Sequence, residues 1–359
     1  MDERKRPTTE ESRATSERPP AEAPSRGSSP WILRGVLAMF VLLGGLVGYG
    51  LYLAGPTGVT AEVRIPRGAG AASVGRILAE AGVVRSSALF AYYLRFSRRD
   101  KDLKPGFYRL EGSGLRAVAL AVTDDSRPLT VRVTFPEGWR AVDIAARLTD
   151  NDLDGPRFLE LVRSPPPELR PAEAKGPTLE GYLFPATYDF PRDYSAEDIL
   201  RAMTRRAEQE FTPAARERLA QLKIASVHDW VTLASVVQAE AANAAEKPTI
   251  AGIFLNRLDI GMPLQADPTV AYGLNKRLPE LDRGAGDFEQ DTPYNSYTRR
   301  GLPPTAIGNP GREALRAVLN PVRTNAQGRR YLYFLHAQGR LFLNVDFQGH
   351  LRDTAKYYR

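Results

Sequence analysis

The sequence predicts an α+β protein: an N-terminal transmembrane helix, then a small α+β region, then an α-rich domain with a few short strands. Three observations carry this. A long apolar run without charge lies close to the N-terminus. A strand–turn–helix pattern then occurs twice, at Val63 and again 70 residues on at Val133. Beyond residue 178 the apolar spacing is mainly helical.

Residues 1–30 are polar and rich in Pro, Ser, Glu and Arg, and their six basic and six acidic residues cancel. Such a segment buries too little apolar surface to fold, so it reads as a disordered tail. Residues 31–54 follow as the membrane helix, with Arg34 its only charge. The charge-free stretch from Gly35 to Gly55 matches the ~20 residues that span a bilayer. Trp31, Tyr49 and Tyr52 lie near its ends, where amphipathic rings favour the interface. A cleaved signal peptide would carry a shorter apolar core, nearer the first residue. Arg26 and Arg34 flank the first end more closely than Arg64 and Arg67 flank the second. That bias favours a cytoplasmic tail and an exported remainder.

The internal repeat aligns VRIPRG at 63–68 with VTFPEG at 133–138, and Ala71, Val74 and Leu78 with Ala141, Ile144 and Leu148. Each copy reads as a strand, a Pro-x-Gly turn and an amphipathic helix. A further helix is expected at 86–96, strands at 106–110 and 129–135, and a helix at 115–123 between them. Residues 60–155 therefore read as one α+β region. A proline-rich connector covers 164–176. The second domain, 178–359, opens with LEGYLFPATY at 179–188 and continues as helices at 195–210, 213–223, 226–243, 245–259 and 311–319. A strand pair at 331–336 and 341–345 ends the pattern.

Composition narrows the chemistry. The chain has 359 residues, enough for more than one core. It lacks cysteine, which excludes disulfides, thiolate metal sites and thiol nucleophiles. Three scattered histidines make a metal site unexpected, and no motif implies a cofactor. The net charge of +7 suits an anionic partner, but no nucleic-acid-binding signature accompanies it.

The chemical message concentrates in residues 233–311. On the helix starting near Ser226, Trp230, Leu233, Ala234, Val237 and Ala241 form an apolar stripe, and Glu240 lies at its flank close to the C-terminal end. Partial burial and the negative end of the helix dipole both favour a protonated carboxyl, the state a general acid needs. From spacing alone, a surface glutamate on a fraying helix end is the better fit. Around it fall FLNRL at 254–258, QADPTVAYG at 265–273, YNSY at 294–297 and GLPPTAIGNPG at 301–311. Rings, amides and carboxylates in such sets bind sugars. The candidate binding residues are Gln265, Asp267, Thr269, Tyr272, Asn295 and Tyr297. Glu180 is either a second carboxylate of the site or a hydrogen-bond anchor for its loop.

The order of anchor, LEGYLFPATY, LASVVQAE, FLNRL, GMPLQADPTVAYGL, TPYNSY and GLPPTAIGNPG resembles the MltG/YceG-like family of bacterial endolytic murein transglycosylases. The resemblance covers roughly residues 60–355. It implies that Glu240 is the catalytic acid and that the region around 60–155 includes a LysM-like subdomain. It further implies that the substrate is the peptidoglycan glycan strand, cut internally between N-acetylmuramic acid and N-acetylglucosamine to leave 1,6-anhydro ends. Wall-synthesis enzymes are the implied partners, and the inner membrane with a periplasmic catalytic domain is the implied location. Many members carry a second glutamate where this chain has Gln238. The usual Gly-His-x-Phe-Ser near the end is replaced by Gly339-Arg-Leu-Phe342-Leu343. Two rival readings stand beside this one. The first is a water-using muramidase with Asp267 or Glu180 as base; the second is a wall-binding module without activity.

Overall fold

The computed structural model describes residues 30–124 and 128–357, so the tail expected to be disordered lies outside the described residues. Helix α1, Pro30–Ala54, has 25 residues and a charge-poor surface open to its surroundings. It is long and apolar enough to cross a membrane.

After it come β1 (Thr60–Ile65), α2 (Ala71–Glu80), α3 (Ser87–Phe96), β2 (Gly106–Glu111) and α4 (Leu115–Val122). β1 and β2 pair antiparallel, with Val63 opposite Tyr108 and Ile65 opposite Gly106. Alternation sends Val63, Ile65, Tyr108 and Leu110 inward, where they meet Val74, Leu78, Phe90 and Val118. Gly75 lets the two helices close up, because a Cβ there would sit 2.6 Å from the Ser87 carbonyl oxygen.

The second copy of the repeat runs β3 (Thr130–Thr134), α5 (Ala141–Thr149), α6 (Gly155–Arg163) and β4 (Thr187–Pro191). β3 and β4 are antiparallel, with Val133 opposite Tyr188. Both copies are therefore strand–helix–helix–strand units. They do not share a core: the first cluster ends at Val122, and the second begins at Val133 and runs on to Val318. A unit ending at residue 155 would leave β3 without β4, which lies inside the LEGYLFPATY stretch and just beyond it.

The helical domain comprises α7 (Ala196–Glu208), α8 (Pro213–Gln221), α9 (Val227–Glu240), α10 (Lys247–Asp259), α11 (Asp267–Gly273) and α12 (Arg312–Leu319). The hairpin β5 (Tyr333–Ala337) and β6 (Arg340–Asn344) and helix α13 (Phe347–Tyr357) complete it. Side-chain caps start three of these helices: Ser195, Thr212 and Ser226 each accept a hydrogen bond from a backbone N–H of the first turn. Helix α9 is buried on nearly every face, with every residue from Val227 to Val237 except Asp229 buried, so it forms the central post of the domain. Trp230 fixes it to α12 by donating its indole N–H to the Leu315 carbonyl at 2.9 Å. Asn256 at the end of α10 donates to the carbonyls of Arg323 and Tyr331 and so tethers the incoming hairpin.

Trp230→Ala removes a fully buried ring and its hydrogen bond, and should destabilise the protein by ~3–5 kcal/mol. Urea denaturation of both proteins checks this.

Candidate active site

Glu240 is the last residue of α9, because Ala241 turns to extended backbone at φ −74° and ψ 127°. The carboxyl lies half-buried in a cleft of about 790 Å³. It has no hydrogen-bond or ion-pair partner among the described residues, so no neighbour compensates for ionisation. Burial pushes it up to about 8, the nearby Asp267 carboxylate adds to the rise, and the Arg257 guanidinium opposes it. Glu240 is therefore mainly a neutral acid at pH 7, as its position on the helix predicts.

Arg257 comes from α10 and is buried. It donates to the carbonyl oxygens of Leu332 and Leu264, at 2.7 and 2.5 Å, and its guanidinium lies 5.3 Å from the centre of the Tyr333 ring. No carboxylate lies within ion-pair distance of it among the described residues. Its charge is thus held by carbonyls beside the acid, placed to stabilise the anion that forms when the proton leaves.

The opposite rim comes from α11. Gln265 and Ala266 lead into this helix, with Pro268 in its first turn. Gln265 lines the cleft, exposed, in the left-handed region at φ 50°. Its N–H donates to the Ser296 carbonyl at 3.0 Å, which helps hold that strained residue in place. Asp267 accepts a hydrogen bond from the Tyr297 hydroxyl and lies 3.6 Å from Arg283. Asp267 and Tyr297 both line the cleft with Glu240.

Other expected binding residues lie elsewhere. Thr269 is fully buried, and its hydroxyl is taken by the Ala266 carbonyl at 2.6 Å and Ser296 at 2.8 Å. Asn295 is also fully buried: it donates to the carbonyls of Phe288 and Gln290 and accepts from the Tyr297 N–H. Neither can reach a ligand, and both shape the loops that present Gln265 and Tyr297. Tyr272 opens onto a separate cavity of about 180 Å³ beside Arg140. Its hydroxyl donates to Glu180 at 3.3 Å. Glu180 is buried, with its carboxyl engaged by the Ala141 N–H at 3.0 Å, Asn309 at 2.7 Å and Tyr272. Burial pushes Glu180 up to about 7, and these donors pull against it. Glu180 is an anchor that ties α5 to the catalytic loops.

Several cleft residues carried no sequence signal of their own. Tyr333, Phe334 and His336 of β5 and His350 of α13 line the wall facing α11. The diverged stretch at 339–343 belongs mostly to β6, whereas it is β5 that faces the cleft. His336 lies 2.9 Å from Glu246, which also accepts from the Ala242 N–H just after Glu240, so the hairpin clamps the turn below the acid. Gln238 lies outside the cleft lining; its side-chain oxygen accepts from Lys247 at 3.2 Å and the Gly311 N–H at 3.3 Å.

One free acid in an open cleft, flanked by a carbonyl-held arginine, defines a single-acid site. The chain belongs to the YceG-like family, whose sequence profile matches residues 63–356. It is 32% identical over 339 residues to an endolytic murein transglycosylase of Bacillus subtilis, covering 88% of this chain and 91% of that protein. It is 28% identical over 327 residues to the endolytic murein transglycosylase of Streptococcus pneumoniae, covering 82% of this chain and 58% of that longer protein. A solved yceG-like protein of Listeria monocytogenes is similar in structure, with a TM-score of 0.53, 29% identity, and coverage of 82% of this chain and 99% of that one.

Two outcomes are expected. Glu240 is raised from 4.5 to about 8, so the folded protein holds this proton more tightly than the unfolded chain does. The stability it contributes is full below pH 4.5 and is lost as pH rises through about 8. Glu240→Gln removes that dependence, so its stability relative to the parent should rise between about pH 5 and about pH 9, measured by denaturation at each pH. Asn309→Ala strips acceptors from the Gly181 and Leu183 N–H groups and a donor from Glu180. It should cost about 3 kcal/mol or more in the same assay.

Proposed function

We propose that the chain is a single-pass, membrane-anchored endolytic lytic transglycosylase that cleaves peptidoglycan strands outside the cytoplasm. The observation that carries this is Glu240, an acid kept neutral by burial and left without a partner in an open cleft. The names of the Bacillus and Streptococcus relatives support the substrate class.

In this reading Glu240 donates its proton to the oxygen joining N-acetylmuramic acid to N-acetylglucosamine. The C1–O bond breaks, the N-acetylglucosamine end departs as an alcohol, and positive charge develops at C1 and the ring oxygen. Arg257 stabilises the new Glu240 carboxylate, and the Asp267 carboxylate sits on the rim toward the developing cation. Glu240 then takes the proton from the muramoyl C6 hydroxyl as that oxygen bonds to C1 and closes the anhydro ring. The proton returns to where it began and no water is consumed. The nucleophile belongs to the substrate, so high effective molarity replaces an activated water.

Internal cutting fits the shape of the site. The cleft shares Ala239, Pro268 and Leu278 with a second groove of about 630 Å³, so a strand can run on past Glu240. Helix α1 would hold the site at the membrane, near newly made strands and the enzymes that make them. The LysM-like region expected at 60–155 would serve as a spacer and packing platform.

Full-length protein in detergent, incubated with uncross-linked strands, should release 1,6-anhydro-ended fragments. Glu240→Gln should lower the rate by about 10²–10⁴-fold or more. In water enriched in oxygen-18, mass spectrometry should find no label at the new ends. Label at the reducing termini would make the protein a hydrolase.

A further inference from the structure

The second groove holds chemistry that cleavage of a neutral sugar chain does not require. It is lined on one side by α5 and the turn before it, through Trp139, Arg140 and Arg147, and on the other by Lys276 and Arg277 after α11. Lys276 is neutralised by Asp287 at 2.7 Å, and Arg277 lies 3.9 Å from Asp143. Arg140 and Arg147 differ. Among the described residues neither side chain donates a hydrogen bond or has a carboxylate within ion-pair distance, although the Arg140 charge acts at longer range on the buried Glu180 carboxyl across the cavity they share. Each instead stacks on a ring: Arg140 lies 5.2 Å from the centre of Tyr272, and Arg147 lies 4.9 Å from that of Trp139. Stacking fixes the plane of a guanidinium and leaves its edge N–H groups available to a carboxylate.

The internal repeat adds an independent observation. At the fixed offset of 70 residues, Trp139, Arg140 and Arg147 replace Ala69, Gly70 and Ile77 of the first copy. The first copy builds the same strand–helix–helix–strand scaffold without these residues. The scaffold therefore does not need them, and they are additions specific to the copy that borders Glu240.

We propose that this groove binds the carboxylate-bearing stem peptide of the strand, with Arg140 and Arg147 receiving its carboxylates. The inference rests on the glycan-strand reading above and adds to it a preference for peptide-bearing over naked strands. The geometry suits it. In murein the peptide hangs from the muramic acid, the sugar whose C1 reacts. The groove meets the catalytic cleft at Ala239, next to the acid. Asp150, which also lines the groove, offers an opposite charge to any free amine on the same peptide.

The test uses full-length protein in detergent carrying Glu240→Gln, so that nothing turns over. Calorimetry compares binding of disaccharide-repeat oligomers with their stem peptides and of the same oligomers stripped by an amidase, with the lactyl carboxylate that stripping exposes capped as an amide. The peptide-bearing oligomer should bind about 10-fold or more tightly, the scale expected for two charge-assisted carboxylate contacts. Adding Arg140→Gln and Arg147→Gln should bring the ratio down to about one. Arg76→Gln on the exposed face of α2 is the matched control and should leave the ratio unchanged. Equal binding of the two oligomers by the parent, or a preference that survives the double substitution, overturns the proposal. Failure to bind either oligomer contradicts the glycan-strand reading itself.

Discussion

The desolvated carboxyl of Glu240 is the constraint around which the second domain is organised. A carboxylate taken from water without a donor is strongly disfavoured, so the group keeps its proton unless a cation intervenes. Arg257, held at the site by two backbone carbonyls, opposes the rise without cancelling it, so Glu240 stays protonated at neutral pH. Helix α9 makes this arrangement durable. Its burial on nearly all sides fixes its axis, and the break at Ala241 leaves the acid at the helix end, facing the cleft. The turn beyond is clamped to β5 through Glu246 and His336. Position, protonation state and charge stabilisation thus all follow from packing.

Glu180 shows how the same residue type serves the opposite purpose. It too is raised, and it is more deeply buried than Glu240, yet its oxygens meet the Ala141 N–H, Asn309 and Tyr272. Asn309 in turn receives the Gly181 and Leu183 N–H groups and donates to the Trp139 carbonyl. One network therefore binds the second strand–helix–helix–strand unit to the loop at 301–311. A satisfied buried acid holds walls together, whereas an unsatisfied one is available for proton transfer. The distinction lies in hydrogen-bond partners, and burial alone does not make it.

Much of this was legible in the sequence, and the gaps have physical causes. The long helices were readable because capping residues and apolar periodicity agree at Ser195, Thr212 and Ser226. Glu240 stood out as a carboxyl beside an apolar stripe. The pairing of β3 with β4, more than 50 residues away, was not legible because a long-range pairing leaves no local trace. Helices α6 and α13 were missed although they are no shorter than α4 and α12, which were expected, and α11 was missed because its Asp-Pro start has the composition of a turn. Thr269 and Asn295 looked like ligand contacts because a polar side chain bonding its own loop and one bonding a sugar have the same composition. Arg257 was visible in FLNRL, but only the fold brings it beside Glu240, seventeen residues earlier in the chain.

The repeat supplies the remaining logic. One scaffold is used twice, first between α1 and the rest of the chain and then as a wall of the active site. The central claim concerns the charge on a single group, so the most direct measurement is its titration. Side-chain carboxyl carbon resonances of protein labelled at glutamate, with Glu240→Gln to assign the signal, report that charge. The account predicts a midpoint for Glu240 near 8. A midpoint close to the ordinary glutamate value of about 4.3 would mean that the acid is ionised at neutral pH, and would contradict it.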